Sequence, residues 1–363
     1  MRLFLLIFLY AAHCNGQMGG GDQMYNSKQL KFVVKVGERC TGSIISKHYV
    51  LTAGHCVKDE TRSREAGGFV AKQMSISAGD YYLTLDKAKS DAHPSETRKT
   101  FQADQVIPYP GYMATWALDS SNNLALAHDL ALLYFKNPLF QDGDESIKSI
   151  ETAAAGQRWN FPDPNVYIQH LRTYHRAYQQ SYQVQDDNYW GVDGKQYPVW
   201  TTLLPFDHYK DGTTGAWVEY VPPAGSNCWV VGLGCSWQKI TKNRDGSQTI
   251  VNECTNIKTT DEVKIETPDT CIRQQDMHNN HNRNFCFGRG LRYGGRIYGG
   301  DSGGPVICNH QGKPPGGEGW KLYGVTVAGN HNPDLPYGYA TAMRLTDVEL
   351  NQWIRVEMGK KRN

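Results

Sequence analysis

Three short motifs in this 363-residue chain contain residue types that together could hydrolyse an amide bond. The first is residues 300–305, Gly-Asp-Ser-Gly-Gly-Pro, which is centred on Ser302. Glycines permit a tight turn that projects the serine hydroxyl outward and aims backbone N–H groups at one point, where they can stabilise an oxyanion. Because a serine hydroxyl is a weak nucleophile until a base removes its proton, this motif predicts a basic partner elsewhere in the chain.

The second and third motifs supply a base and a residue that can orient it. His55 lies in residues 52–56, Thr-Ala-Gly-His-Cys, at the end of an apolar strand-like run, which distinguishes it from the other histidines. Asp129 is followed at once by apolar residues, and a partly buried carboxylate in such a place can fix the imidazole tautomer and stabilise its charged form. Asp129 alone is typical of an ordinary strand start, but the order His55, Asp129, Ser302 favours a catalytic triad.

These motifs resemble the signature blocks of the trypsin/chymotrypsin family of serine peptidases. The resemblance implies that Ser302 is the nucleophile, His55 the general base and then acid, and Asp129 the residue that orients the histidine. It also implies an oxyanion hole made by the backbone N–H groups of Gly300 and Ser302. The implied activity is that of a serine endopeptidase, which cleaves peptide bonds through an acyl-enzyme intermediate and uses no cofactor.

The elements that must position these residues are short strands. Apolar and β-branched runs at 32–36, 42–45, 48–51, 74–79 and 130–135 are separated by glycine, proline and asparagine, which predicts an antiparallel barrel or sandwich. The resemblance makes this more specific: an all-β, chymotrypsin-like fold of two six-stranded antiparallel β-barrels with the triad between them. The apolar spacing of residues 346–358 predicts a C-terminal helix.

The domain organisation follows from composition and from the resemblance. Residues 1–16 have a basic start and a short apolar run, which predicts a signal peptide and an extracellular, secreted protein. The peptidase domain is predicted over 24–363. It comprises an N-terminal barrel at about 24–145, an inter-lobe insertion at about 146–220 and a C-terminal barrel at about 221–363.

The charge balance narrows the class of partner. Lys plus Arg total 38 and Asp plus Glu total 36, so the net charge of +2 argues against a nucleic-acid partner. No segment after the signal is long and apolar enough to span a bilayer, so we expect no membrane association once the signal is removed. The expected partners are protein or peptide substrates, and the expected state is a monomer.

The cysteines predict disulfides rather than a metal site. Of the nine, Cys14 lies in the signal, and the even number that remains is typical of a disulfide framework in an oxidising compartment. No Cys-x-x-Cys pair occurs, and His278 and His281 stand in a polar, asparagine-rich run that is typical of a loop, so no metal is expected. The resemblance pairs Cys40 with Cys56, Cys228 with Cys308 and Cys271 with Cys286, and leaves Cys235 and Cys254 as a pair by elimination.

The specificity pocket departs from the pattern of trypsin itself. The position six residues before the serine, where trypsin-like members have an acid, is Arg296, and counting forward from Cys286 leads to Tyr293 instead. No Asp or Glu lies between Cys286 and Gly300, which argues against cleavage after Lys or Arg. The predicted substrate-binding residues are Arg296, Tyr293, Val327 and Gly329.

Two supporting features of the family are also altered. Residues 327–329, Val-Ala-Gly, stand where the family has Ser-Trp-Gly, so either Thr326 replaces the serine that supports the catalytic aspartate or that hydrogen bond is lost. There is no Arg-Ile-Val-Gly-Gly site to release an amine that pairs with Asp301. The alternatives are an amine at Gln17 after signal removal, another cation, or backbone donors to Asp301.

A second class of function fits the same fold. A protease homologue can lose catalysis and act as a secreted binding protein, because fold alone does not fix function. Such proteins usually lose a triad residue or the glycine turn. This chain keeps both, which favours the enzyme.

Overall fold

The computed structural model describes residues 22–23, 30–58, 71, 73–110, 112, 129–150, 188–190, 196–198, 208–210, 217–219, 227–242, 248–254, 256–266, 284–288, 297, 299–308, 320–329, 339–360 and 362. In chain order the first strands are β1 (Asp22–Gln23), β2 (Val33–Val36), β3 (Cys40–Ser46), β4 (Tyr49–Thr52), β5 (Ser75–Ala78), β6 (Lys99–Gln102), β7 (Gln105–Pro108) and β8 (Ala131–Tyr134). The later strands are β9 (Asn188–Trp190), β10 (Gln196–Pro198), β11 (His208–Lys210), β12 (Trp217–Glu219), β13 (Asn227–Gly232), β14 (Cys235–Lys242), β15 (Gln248–Cys254), β16 (Thr259–Lys264), β17 (Asn284–Phe287), β18 (Pro305–Cys308), β19 (Lys321–Gly329) and β20 (Ala340–Arg344).

The first lobe is one antiparallel sheet in the order β6-β5-β2-β3-β4-β8-β7. Strands β6 and β7 form its two edges but are separated in sequence only by Ala103 and Asp104. One bent stretch of chain therefore joins both edges and curls the sheet toward a barrel, which removes exposed edges. Every residue of β2 and β4 is buried, because both faces of these strands are covered.

The second lobe is a sheet in the order β1-β16-β13-β18-β19-β20-β17. An antiparallel bridge between Ile265 and Phe287 joins the chain after β16 to β17, which brings the two sides of this sheet together as well. The short β1 pairs with β16, through Asp22 opposite Thr260, and adds a seventh strand to the six of the predicted barrel. The predicted all-β fold of two curled antiparallel sheets is confirmed.

Three further strand pairs form separate two-stranded sheets: β9 with β10, β11 with β12, and β14 with β15. The first two belong to the predicted insertion at 146–220, most of which lies outside the described residues. The domain boundaries therefore stay predictions. The predicted signal at 1–16 also lies outside the described residues.

Two helices complete the described structure, α1 (Lys87–Ala92) and α2 (Val348–Gly359). Helix α2 begins at an N-cap, Asp347, whose carboxylate accepts a hydrogen bond from the Leu350 N–H. It packs against the first lobe, where Trp353 meets Tyr109 edge to face at 5.1 Å between ring centroids. The C-terminal helix, which follows the last strand of the second lobe, thus contacts the first lobe. Neither described helix is long and apolar enough to cross a bilayer.

Candidate active site

Strand pairing in the first lobe brings His55 and Asp129 together. His55 lies in a 3₁₀ turn (Gly54–Val57) that directly follows β4, and the register of β4 with β8 places Thr52 opposite Ala131. Asp129 precedes Ala131 by two residues, so it lies beside the turn that carries His55. Two residues 74 positions apart in sequence become neighbours because of one antiparallel ladder.

Both oxygens of the Asp129 carboxylate bind His55. The backbone N–H of His55 donates to Oδ1 at 2.7 Å, and the ring Nδ1 donates to Oδ2 at 2.6 Å. The Asp129 side chain is 4% exposed, whereas that of His55 is 33% exposed. Because an ionised carboxylate only accepts hydrogen bonds, the neutral imidazole carries its proton on Nδ1, and Nε2 keeps a lone pair for accepting another.

The charge of Asp129 also sets the titration of its neighbours. Burial lowers the pKa of His55, but attraction to Asp129 and their hydrogen bond outweigh it, so the pKa is raised above its ordinary value of 6.5. Burial and the charge of Asp129 both raise the pKa of Tyr112, which keeps this phenol neutral. Tyr112 is 4% exposed, and its ring lies beside Gly54, the residue before His55.

Gly54 is required for this close approach. A Cβ at Gly54 would lie 2.8 Å from the Tyr112 ring and 3.0 Å from Asp129 Oδ1. A larger residue would therefore push apart the carboxylate and the His55 N–H that it accepts from.

Ser302 lies in a tight turn between the lobes, residues 300–304, called the serine turn below. Gly300 and Gly303 have φ values of +99° and +82°, a region that side chains rarely adopt. A Cβ at Gly303 would lie 2.1 Å from Thr41 O and 2.2 Å from Thr52 Oγ1. The turn therefore packs against the end of β4, the strand that leads into His55.

Hydrogen bonds from β3 hold the backbone of the serine turn. The Thr41 N–H donates to Ser302 O at 2.8 Å, and the Thr41 hydroxyl donates to Gly300 O at 2.9 Å. Sγ of Cys56, the residue after His55, lies 3.6 Å from Ser302 O. Within the described ranges, the backbone N–H groups of Gly300 and Ser302 donate to no protein group, so both remain available to a ligand.

Asp301 points away from solvent, into the second lobe. It is fully buried, and its Oδ1 accepts a hydrogen bond from the Gly234 N–H at 2.9 Å. A Cβ at Gly232 would lie 1.8 Å from the same oxygen, so a side chain there would displace the carboxylate. Of the predicted partners of Asp301, a backbone donor is present, the Gly234 N–H. Gln17, the predicted source of an amine, lies outside the described residues.

Two of the predicted disulfides are present, Cys40–Cys56 and Cys228–Cys308. The first ties the His55 turn to β3, and the second joins neighbouring strands β13 and β18. Cys286 is also disulfide-bonded, and its predicted partner Cys271 lies outside the described residues. The backbones of Cys235 and Cys254 lie directly opposite each other in the β14–β15 hairpin, and their disulfide stays a prediction.

The predicted specificity residues are only partly described. Val327 is 4% exposed at the end of β19. Gly329 is close to the chain before the serine turn, since a Cβ there would lie 2.9 Å from Ile297 O. Arg296 and Tyr293 lie outside the described residues, so their part in substrate binding stays a prediction.

Thr326 does not replace the missing serine. Its buried hydroxyl makes no hydrogen bond in the part of the chain that the structure describes, so it does not support Asp129. Its backbone instead binds the serine turn: the Gly303 N–H donates to Thr326 O at 2.7 Å, and the Thr326 N–H donates to Gly304 O at 2.8 Å.

One group of side chains has the spacing of a metal site but not its chemistry. Cys40, Cys56 and His55 have potential ligand atoms within 4.8 Å of one another. The two sulfurs are joined in a disulfide, however, and a metal requires thiolates. His278 and His281 lie outside the described residues.

A comparison with models of protein families decides the relationship. The trypsin family model matches residues 17–196 and 209–354. The chain belongs to the trypsin family. The matched residues of this trypsin-family protein include His55, Asp129 and Ser302.

Two curated relatives are serine proteases of Anopheles gambiae. CLIP domain-containing serine protease B9 is 30% identical over 135 residues, which cover 34% of this chain and 31% of that protein. CLIP domain-containing serine protease B10 is 28% identical over 110 residues, which cover 29% of this chain and 27% of that protein. The matched segments thus span about a third of each relative or less.

Among solved structures, mouse neuropsin, a serine protease expressed in the limbic system of mouse brain, has a similar fold. The superposition has a TM-score of 0.52 at 17% identity and covers 93% of this chain and 98% of neuropsin. At this identity the similarity shows the fold alone.

Two residues of this site have no clear signal in the sequence. Thr41 binds Gly300, 259 residues away, and nothing in their local motifs indicates this contact. Tyr112 lies beside Gly54, 58 positions before it in sequence, and only the fold brings the two together.

Proposed function

We propose that this protein is a secreted serine endopeptidase that uses Ser302, His55 and Asp129. The observation that carries this proposal is the His55–Asp129 pair, in which both carboxylate oxygens are used at 2.6 and 2.7 Å beside the serine turn. A histidine that is fixed and oriented in this way is the base that a serine hydroxyl requires.

In the proposed reaction the Ser302 hydroxyl attacks the peptide carbonyl while His55 Nε2 accepts its proton. The resulting oxyanion is stabilised by the N–H groups of Gly300 and Ser302, which make no other hydrogen bond within the described residues. His55 then gives the proton to the leaving amine, the C–N bond breaks, and an acyl-enzyme remains. Water attacks the ester by the same route and restores Ser302. Asp129 stays ionised and stabilises the imidazolium.

The proposed specificity is not for Lys or Arg. A buried acid would be needed to bind a basic side chain, and the sequence between Cys286 and Gly300 contains none. The described boundary, Val327 and Ile297, is apolar and buried. We therefore expect cleavage profiles that lack a preference for basic residues at the bond.

The proposed location rests on the disulfides. Disulfides persist in oxidising compartments, and the bonds Cys40–Cys56 and Cys228–Cys308 support an extracellular protein. We propose that it acts there as a monomer on protein or peptide substrates.

The experiment is intact-mass analysis of the secreted protein before and after a fluorophosphonate that labels activated serines. We expect one adduct, mapped to Ser302, that is absent in Ser302→Ala and His55→Ala. His48→Ala is the matched control, because His48 precedes β4 at the end opposite His55 and binds Phe135 O at 2.9 Å. It should label like the wild type.

The opposite outcome would be a folded protein that takes no label, or one whose label persists in His55→Ala. The first result would favour the catalytically silent binding protein. A peptide-library digest with a dominant cut after Lys or Arg would contradict the proposed specificity.

A further inference from the structure

The buried carboxylate of Asp301 raises the question of what balances its charge. An ionised carboxylate inside a protein is costly unless it is paired and hydrogen-bonded. Asp301 is fully buried and directly precedes Ser302, so whatever holds this carboxylate also determines the path of the serine turn. The Gly234 N–H supplies a hydrogen bond but no net charge.

A lysine of the other lobe is buried next to the same segment. Lys35 interrupts the apolar strand β2 and is only 2% exposed, although lysine is rarely buried without a partner. Its ammonium donates to Leu233 O at 3.1 Å. This contact crosses from the first lobe to the second and spans 198 positions in sequence.

One peptide group links the lysine to the aspartate. The peptide between Leu233 and Gly234 accepts a hydrogen bond from Lys35 at its carbonyl and donates one to Asp301 Oδ1 at its N–H. The positive charge lies at the negative end of this peptide dipole, and the negative charge lies at the positive end. The dipole of the Leu233–Gly234 peptide is therefore stabilised by both the Lys35 ammonium and the Asp301 carboxylate.

The strand neighbour of Lys35 binds the same backbone. Thr41 lies directly opposite Lys35 in the β2–β3 ladder, which places both side chains on one face. The Thr41 hydroxyl accepts from the Leu233 N–H at 3.1 Å and donates to Gly300 O at 2.9 Å. The Lys35–Thr41 pair therefore holds Leu233 at both its backbone groups and connects it to the serine turn.

We propose that Lys35 is a positioning residue whose ammonium is the internal counter-charge of Asp301. It holds the serine turn with the Gly300 and Ser302 N–H groups directed to the oxyanion. This inference rests on the proposed function of the serine turn. The residue acts through Asp301 and does not touch the substrate.

The charge of Lys35 gives the proposal a specific pH dependence. Burial is the main cause that lowers the pKa of Lys35 to about 8. The negative charges of Asp301 and Glu38 raise this pKa, whereas the positive charge of Lys89 lowers it further. The ammonium is therefore present below this pH and is lost as the pH rises through it. We expect the labelling rate of Ser302 to fall over the same range.

The test compares Lys35→Met with Lys258→Met. Lys258 is the matched control, because it is also a fully buried lysine with a lowered pKa, yet it donates to Leu30 O and faces Asp80 instead of Asp301. For Lys35→Met we expect the fluorophosphonate labelling rate at neutral pH to fall by about 100-fold, on the scale of breaking a buried ion pair. The remaining rate should no longer decline through pH 8. Lys258→Met should keep the alkaline decline of the wild type.

A folded Lys35→Met protein that labels at the wild-type rate with the wild-type alkaline decline would overturn the proposal. The pairing is also tested without catalysis, by urea unfolding of Lys35→Met, Asp301→Asn and the double variant. If the two charges are coupled, the urea midpoint of the double variant should be close to that of the less stable single variant. If the midpoint shifts of the two single variants instead add up in the double variant, the pairing is overturned. A wild type that takes no label would overturn the proposed function and the positioning role together, while the unfolding cycle would still decide the pairing.

Discussion

The two lobes hold their parts of the proposed site in different ways. In the first lobe, His55 and Asp129 bind each other directly and come from neighbouring strands of a single sheet. In the second lobe, the serine turn is held mainly by backbone groups, and several of its partners, such as Thr41, belong to the first lobe. The base and its orienter are thus a property of one lobe, whereas the geometry of Ser302 depends on the contact between two.

This difference separates two kinds of failure. Damage to the first lobe's pair changes the chemistry of the base and leaves the turn in place. Damage to the inter-lobe contact moves the nucleophile and the oxyanion donors while the His55–Asp129 hydrogen bonds persist. Variants of the His55–Asp129 pair and variants of the inter-lobe contact should therefore differ in how far they lower the labelling rate of Ser302 and in how that rate depends on pH.

The largest effect is expected from breaking the direct pair. In Asp129→Asn the amide can present its NH₂ to His55, which favours the wrong tautomer, so we expect the rate of Ser302 labelling to fall by about 10⁴-fold. Circular dichroism and unfolding midpoints control for folding. A loss smaller than tenfold would mean that Asp129 does not orient the proposed base.

The next largest effect is expected at the inter-lobe contact. Thr41→Val keeps the shape of the side chain but leaves Gly300 O and the Leu233 N–H without their hydroxyl partner. Unpaired buried groups cost about 1–3 kcal/mol each, so we expect the labelling rate to fall by roughly 10- to 100-fold. Thr41→Ser, which retains the hydroxyl, should restore most of the rate. Equal rates in Thr41→Val and Thr41→Ser would mean that the Thr41 hydroxyl does not hold the serine turn.

The acid side of the pH profile sharpens the comparison. His55 must be neutral to accept the serine proton, and its pKa is raised by Asp129. The labelling rate should therefore rise with pH through a midpoint above 6.5, the ordinary value for histidine. Thr41→Val should keep this midpoint despite its lower rate, because it does not touch the pair. A midpoint below 6.5 in the wild type would contradict the electrostatics described for His55.

The smallest effect is expected from a polar cluster of the first lobe away from the site. Burial raises the pKa of Asp144, but hydrogen bonds from Ser146, Lys99 and Ile147 outweigh this effect and lower the pKa from 3.8 to about 2. A lowered pKa stabilises the fold above the unfolded value, and this contribution is lost as the pH falls through about 2.

Asp144→Asn should lower the free energy of unfolding by about 1–2 kcal/mol at pH 7 and by almost nothing near pH 2. Asp142→Asn is its control: this side chain is 90% exposed in its ion pair with Lys47, so its loss should cost roughly 0–1 kcal/mol. Neither variant should change the labelling of Ser302. A loss of labelling in Asp144→Asn would mean that the stability of this loop and the geometry of the site are coupled.

Much of the fold could be predicted from local sequence patterns. Short apolar runs separated by turn residues indicated an antiparallel all-β protein, and the C-terminal apolar spacing indicated the helix Val348–Gly359. The added seventh strand of each sheet was not predicted. In the first sheet, β6 and β7 are two halves of one bent segment and form both edges of the sheet, which adds a strand. In the second sheet the additional strand is β1, which has only two residues and is too short to show an alternating pattern.

The site shows the same division. The types and order of His55, Asp129 and Ser302, the glycines of the serine turn and the absence of an acid before Gly300 are properties of the sequence by itself, because they are written in contiguous motifs. The sequence left open whether Thr326 supports Asp129 and what balances Asp301. The tertiary structure decided the first and brought Lys35 and Thr41 to the serine turn, because those contacts join strands of two lobes. Local motifs record which residues are available, whereas buried hydrogen bonds between distant strands depend on how the two sheets pack.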